Sequence, residues 1–571
     1  MSETPSFQFV SSSPTVEIHL PDGRNLRGPR GAAVGQFLRL INDEAALTVG
    51  AIVNGELHEL TYPIEKESLV RPVTMNDADG MRIYRRSLTF LLEAAFDELF
   101  PQARLTIDHS VSFGGYFCQV TERSPLSRAE LTALEGRMRQ LVEADLPFTR
   151  REIPLQEAVD HFRAKGMEDK VQLLTHRKKD YLTLYSLGEH SDYHHGYMTP
   201  STGYLRWFAL SPAGVGFTLR FPRRHKPTEL LPLPDYPQLL KAFRQYGDWL
   251  TRLGISTTGA LNDAIQDGRI REIILVSEAL HEQQIADIAD QVAARLDRAR
   301  IVLIAGPSSS GKTTFSKRLT IQLLAHGISP YPLEIDNYFL RRELTPRDAS
   351  GQYDFESLNA LDVPRLGADL SRLIAGEQVQ LPRFDFSSGC SYPGEIIQLH
   401  PEQIVILEGI HGMNPGLLPD IPSWQTFRIY VSALTQLNLD RHNRVSTTDT
   451  RLIRRIVRDA RERNYSARET IQRWESVRRG EKQFIFPFQE NADVMFNSAL
   501  VYELAVLKPL AEPLLRQVTY DTAEYVENKR LLAFLEWFVP LGCELIPDNS
   551  LLREFVGGSI LKEFKVWRNG A

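Results

Sequence analysis

Eight consecutive residues, Gly306-Pro307-Ser308-Ser309-Ser310-Gly311-Lys312-Thr313, restrict this chain more than any other stretch. A short apolar run, Arg300-Ile301-Val302-Leu303-Ile304-Ala305, precedes them and reads as a strand. An amphipathic pattern from about Lys312 to Ala325 follows and reads as a helix. The Gly-x4-Gly-Lys-Thr spacing is the full Walker A pattern, and its residue types have physical reasons. Glycines let backbone N–H groups converge on an anion without side-chain obstruction. The helix N-terminus adds partial positive charge. Lys312 can reach the outer phosphates of a triphosphate tail, and the Thr313 hydroxyl can ligate Mg²⁺. A chance Gly/Ser loop, or one that takes another anion, is the competing reading; the strand and helix on either side speak against it. The cradle then consists of Gly306, Ser308, Ser309, Ser310, Gly311, Lys312, Thr313 and Thr314, with ATP and Mg²⁺ as its expected ligands. A GTPase would need an Asn-Lys-x-Asp type guanine reader, and the sequence has none.

Two further apolar segments, Gln403 to Leu407 and Phe427 to Val431, read as buried strands. Continuous apolar strands alternating with helices indicate an α/β domain with a parallel sheet covered on both faces. Asp336 follows the short segment Leu333-Glu334-Ile335, and Glu408 ends the strand before Gly409. α/β folds gather ligands at such strand ends. One carboxylate can accept the proton of an attacking hydroxyl and another can hold Mg²⁺. Asp336 is assigned the base role and Glu408 the metal role, although both residue types also serve as caps and turns.

In the run Arg451 to Arg463, Arg451, Arg454, Arg455 and Arg458 fall at i, i+3, i+4 and i+7 and share one helix face. A solvated face and a nucleic-acid stripe are two readings of it. Downstream of a phosphate loop, a lid that neutralises phosphoryl oxygens is the third, and the one expected here.

With 571 residues the chain exceeds one core, and at roughly 150 residues per domain three or four domains are expected. The net charge of -6 gives no global positive field for nucleic acid. Three cysteines, Cys118, Cys390 and Cys543, form no disulfide framework, which fits a reducing compartment. No stretch nears the ~18 consecutive apolar residues of a membrane helix, and the Ser-rich start lacks a secretory pattern, so a cytoplasmic, soluble protein without membrane contact is expected. The chain divides into a disordered head (1–14), a β-rich module (15–84), an α+β unit (85–222), a linker and helical connector (223–289), the phosphate-loop domain (290–520) and a C-terminal helical extension (521–571). Glu272 to Val276 is read as a strand within the otherwise helical connector.

These motifs, in this order, resemble the uridine kinase and phosphoribulokinase group of P-loop kinases. Asp336-Asn337-Tyr338-Phe339 is similar to that family's Asp-x-Phe-Tyr segment, which implies that Asp336 is the base. Tyr353-Asp354-Phe355 resembles its Phe-Asp-His element, implying that Asp354 holds acceptor hydroxyls. Pro382-Arg383-Phe384-Asp385-Phe386 resembles its Tyr-Asp-Phe element, implying that Phe384 borders the substrate. Arg455, Arg458 and Arg463 match its lid. Phe384 in place of Tyr, no His near Ser388-Gly389, Tyr465 for a lid Arg and Arg473 for a Gln depart from it. The phosphoryl machinery is kept while the base-reading contacts change. The resemblance implies an ATP-dependent kinase of a nucleoside or similar small hydroxyl compound, and uridine kinases commonly assemble into homo-oligomers.

Residues ~15–80 look like a TGS β-grasp domain of threonyl-tRNA synthetase, and ~85–222 resemble the domain that follows it there. That domain's editing site uses His-x3-His and Cys-x3-His. Here Arg86 and Phe90 stand for the first pair and His194 and Met198 for the second, leaving too few ligands for Zn²⁺. The neighbouring His190, His194 and His195 are read as a surface cluster. The front half is therefore expected to be a degenerate domain kept for binding or regulation. An RNA-associated protein with an ATP-driven switch is the other reading.

Overall fold

A computed structural model describes residues 13–41, 47–111, 114–347, 351, 353–385 and 388–565. The expected head, apart from its last residues, and Phe386 lie outside this set. Near the N-terminus, Val16, Ile18 and Leu20 alternate into a small core with Phe37, Val53 and Val70. Five strands form one sheet in the order Asn25–Pro29, Thr15–His19, Ser68–Thr74, Thr48–Val53, Glu56–His58. Thr15–His19 and Ser68–Thr74 pair in parallel and the other neighbours are antiparallel. The Asn54-Gly55 turn has φ of 50° and 87°, the left-handed pair that a two-residue hairpin needs.

Helix Ala78–Leu99 leads into the α+β unit, which carries a four-stranded and a three-stranded antiparallel sheet. Its second long helix, Arg128–Glu143, opens on a capping box. Ser127 Oγ accepts from Glu130 N at 3.3 Å, and the Glu130 carboxylate accepts from Ser127 N at 2.8 Å. The connector is three helices, Pro237–Leu253, Thr258–Gln266 and Ile270–Ala293. The expected strand at Glu272 to Val276 is wrong, because those residues lie in the last of these helices. Ile270, Ile273, Ile274 and Ser277 point inward at i, i+3, i+4 and i+7, while Leu275 and Val276 are exposed. The apolar run was spread around a helix rather than along a strand.

The phosphate-loop domain centres on five parallel strands, ordered Pro330–Glu334, Ile404–Glu408, Ile301–Ala305, Thr426–Ser432, Val494–Asn497. Register aligns Glu334 and Ile304 with Glu408, and Ala305 with Tyr430, so the strand ends share one edge. Pro330 and Pro332 sit in an outer strand, where a missing N–H costs no ladder bond. One hydrophobic core runs from Phe162, Leu173 and Leu182 through Ile273 and Ile285 to Val302, Phe315 and Leu319. The two halves of the chain are therefore packed as one body. Among the described residues no helix is long and apolar enough to cross a membrane.

A segment of the phosphate-loop half, Asn438 to Arg444, enters the front half. Lys170 is fully buried between Asp192 (2.9 Å) and Asp440 (3.0 Å), and Tyr193 Oη donates to Asp440. Arg441 grips Asp169 with Nη2 at 2.5 Å and Nε at 3.0 Å. Such buried pairs contribute little net stability, because each charge has first to leave water, while losing one partner strands the other.

Candidate functional site

The loop 306–311 turns from strand Ile301–Ala305 into helix Lys312–Ala325. A Cβ on Gly306 would lie 1.9 Å from the Val431 carbonyl oxygen, and Gly311 has φ +85° with Leu551 closing over it. Both positions demand glycine. Ser309 (φ 57°) and Ser310 are buried, and neither hydroxyl oxygen has a hydrogen-bond partner among the described residues. Unpaired buried donors in a loop of this kind are what an anionic ligand would satisfy. Lys312 Nζ donates to Pro307 O at 3.2 Å, folded back over the loop.

Carboxylates face the lysine. Thr313 Oγ1 donates to Glu408 Oε1 at 3.3 Å. Burial pushes the Glu408 carboxyl up to about 7; Lys312 opposes this, and Glu554 and Asp336 add to it. Asp336 opens to the cleft, on a short 3₁₀ turn after strand Pro330–Glu334. The crowded cleft walls, then Glu334, raise its carboxyl, against Lys312 and Arg463. Asn337 beside it accepts from Phe384 N at 3.3 Å and so ties this turn to the hairpin Val379–Asp385/Cys390–Ile397. Phe384 is buried, with its ring 5.7 Å from that of Phe339. Asp354 Oδ1 accepts from Glu356 N at 3.2 Å, an Asx-type turn.

The sequence reading missed two acids. Glu356 is pushed up to about 7 by burial and then by Glu481, with Arg455 and Lys312 opposing. Glu554, from the C-terminal extension, accepts from Thr314 N (3.3 Å) and Thr314 Oγ1 (3.0 Å). Nothing near 554 in the chain marks it as a neighbour of a loop more than two hundred residues earlier. Glu356 had a signal, being two residues from Asp354.

The arginine stripe on helix Thr447–Glu462 divides in two, which corrects the expectation that all four line a lid. Arg451 and Arg454 are fully buried struts. Arg451 pairs with Glu481 and donates to Ser308 O at 3.0 Å. Arg454 holds Glu503 at 2.5 Å and Ser498 O at 2.8 Å. Glu481 Oε1 also accepts from Ser308 N at 3.2 Å, so one carboxylate clamps both the loop and its strut. Arg455 donates to Ser308 Oγ at 2.9 Å, Arg458 lies 3.8 Å from Glu554, and Arg463 is exposed with Asp459 at 3.3 Å. Helical spacing cannot tell a core face from a cleft face when arginines line both.

In the front half, the histidines read as a surface cluster are corrected. His190 and His194 are buried. His194 Nε2 is 3.1 Å from Glu93 Oε2, and His442 of the inserted segment is 2.7 Å from Asp192. Nor is the ligand count as low as expected, since Glu93, Asp192 and His194 place donor atoms within 4.8 Å of one another. Lys170 and His442 already hold Asp192 there, supplying positive charge in place of a cation. Arg86 donates to Tyr197 O at 2.5 Å, while Phe90 and Met198 pack in the core.

A threonine–tRNA ligase from Polaromonas sp. is 34% identical over 197 residues, 34% of this chain and 31% of that protein. One from Symbiobacterium thermophilum is 32% identical over 206 residues, 36% of this chain and 32% of that protein. The chain thus spans about a third of the length of these curated relatives. Among solved structures, a possible uridine kinase from Bacillus stearothermophilus aligns with TM-score 0.27 and 18% identity over 38% of this chain and 98% of that one. A D-glycerate 3-kinase from Cryptococcus neoformans aligns with TM-score 0.21 and 16% identity over 44% and 87%. Residues 301–505 match the phosphoribulokinase / uridine kinase family, and the N-terminal part of the chain is similar to threonine–tRNA ligase.

Proposed function

We propose that the phosphate-loop domain transfers the γ-phosphoryl group of ATP to a hydroxyl of a nucleoside or similar small molecule. One observation carries this reading: Lys312, the Thr313–Glu408 pair and Asp336 stand together at the strand-end edge of a single parallel sheet. Gly306, Gly311 and the unpaired Ser309 and Ser310 hydroxyls make a cradle suited to the phosphates. Mg²⁺ fits Thr313 and Glu408, a hydroxyl and a carboxylate that already meet beside the loop, and it would supply Lewis-acid neutralisation of phosphate oxygens.

Asp336 is the base on this reading, since its raised carboxyl opens to the cleft and can take the acceptor's proton. Arg455, which donates to Ser308 Oγ, and Arg458 and Arg463 further along the same helix and at its end steady the phosphates on this reading. Asp354 and Phe384 border the acceptor, and the hydrogen bond between Asn337 and Phe384 N couples the position of Phe384 to the base. The five-stranded sheet of residues 15–74 supports reading that module as a β-grasp domain of the TGS kind. RNA contact by the front half has the likeness to threonine–tRNA ligase as its support.

The test is Asp336→Asn, assayed for ATP consumption against a panel of nucleosides, sugars and amino acids. Turnover with the accepted compound should fall at least about a hundredfold, while ATP binding by calorimetry is kept. Undiminished turnover in that variant would remove Asp336 from the base role, and silence of the unmodified chain across the panel would count against a small hydroxyl acceptor.

A further inference from the structure

Between the front half and the phosphate-loop half lies a cavity of about 600 Å³ that the proposed reaction does not use. Of the loop only Pro307 borders it; Lys312, Thr313, Asp336 and Glu408 do not. Among the described residues nine arginines and Lys482 line it, against two carboxylates, Asp449 and Glu475. Both carboxylates are already engaged. Arg530 holds Asp449 through bonds of 2.8 and 2.9 Å, and Arg224 holds Glu475 at 2.6 and 3.1 Å. Arg85, Arg444 and Lys482 have no carboxylate partner among the described residues. Arg85 lies over the Phe221 ring at 5.1 Å, and Arg444 over Tyr116 at 4.8 Å with Ser110 Oγ accepting at 2.9 Å. The Nε atoms of Arg85, Arg444 and Arg451 are buried without a hydrogen-bond partner among the described residues.

These cations repel one another. Lys482 is pushed down to about 8 by burial and then by Arg478 and Arg224. Arg223 is pushed down to about 10 by burial and then by Arg85 and Arg478. Clustered like charges in a walled space are costly without a counter-charge, and guanidinium forks match phosphate oxygens in geometry. Phe221, Phe243 and Trp474 give the same cavity an apolar side for a ring or carbon body, and its volume lies in the range of small-molecule sites.

We propose that this cavity binds a phosphorylated small molecule of about nucleotide size, at a site separate from the phosphate loop and built jointly by the two halves. The cavity also reaches the loop mechanically. Arg478, in its wall, donates to Glu481 Oε2 at 2.6 Å, and Glu481 clamps Arg451 and the Ser308 amide. A phosphate that draws Arg478 toward itself loosens that clamp, so occupancy of the cavity is transmitted to Ser308. The consequence for turnover rests on the kinase reading; the binding itself does not.

The experiment uses the full chain carrying Lys312→Ala, which weakens phosphate capture by the loop, titrated calorimetrically with inorganic pyrophosphate. Saturable binding is expected, weakened at least about tenfold by adding Arg85→Glu and, separately, by the milder Lys482→Gln, with unfolding midpoints showing that both variants fold. Hydrogen exchange at the Ser308 amide should quicken on adding pyrophosphate. Affinity indifferent to both substitutions, or no saturation at millimolar pyrophosphate, overturns the site. So does tRNA binding that Arg85→Glu abolishes while pyrophosphate does not compete for it, because the occupant would then be RNA. Unchanged exchange at Ser308 overturns the transmission. No readout involves turnover, so a chain without kinase activity would pass or fail on its own terms.

Discussion

Replacing Glu408 with Gln should make the ligand-free protein more stable while disabling it. The carboxyl sits at about 7 in the folded chain against an ordinary 4.5, because burial and the neighbouring Glu554 and Asp336 disfavour its charge more than Lys312 favours it. A carboxyl raised on folding holds its proton more tightly in the native state. Its contribution is therefore most favourable at low pH, is lost as pH climbs from about 4.5 to about 7, and levels off above that. At about 1.4 kcal/mol per tenfold in proton affinity, ionising Glu408 costs the fold about 3 kcal/mol at pH 8 and about 1 kcal/mol at pH 5. The side chain keeps some contact with solvent in the cleft, so these are upper figures. Gln preserves shape and removes the charge. The assay is urea unfolding in EDTA without nucleotide, at pH 5 and pH 8, for both proteins. The stability gain of Glu408→Gln should be larger at pH 8 than at pH 5, by about 2 kcal/mol. Adding Mg²⁺ should narrow the gap, since a cation would relieve only the unmodified site. Equal gains at the two pH values, or a loss at both, would show that the carboxylates are not a reservoir of repulsion and would refute the electrostatic argument for this site.

Other substitutions separate struts from solvated charge. Arg454→Ala leaves Glu503 buried without its partner and should cost about 3–5 kcal/mol in unfolding free energy, far beyond what an exposed arginine would show; a cost under 1 kcal/mol would return the residue to the lid. Ser466→Ala removes the capping box at the start of helix Ala467–Gly480 and should cost about 1 kcal/mol without altering ATP affinity. An affinity change there would mean that this helix responds to nucleotide more directly than its packing indicates.

Local features of this protein were decided by the sequence itself. The strand, glycine loop and helix at 301–325, the Asn54-Gly55 turn and the capping box at Ser127 each depend on conformational preferences within a few residues, and each stands where spacing alone puts it. The placing of Asp336 and Glu408 along one edge was legible too, since strand ends of a parallel sheet fall at one edge whatever the loops do. Tertiary structure decided which helix faces turn inward. It buried Arg451 and Arg454 while leaving Arg455 and Arg463 at the cleft, and it wound Glu272 to Val276 into a helix against a core assembled from both halves. It alone brought Glu554 to Thr314, His442 to Asp192, and arginines from residues 82 to 530 around one cavity. Periodicity records how a segment divides into faces. What each face meets depends on partners hundreds of residues away, and in a single chain no local pattern encodes those pairings.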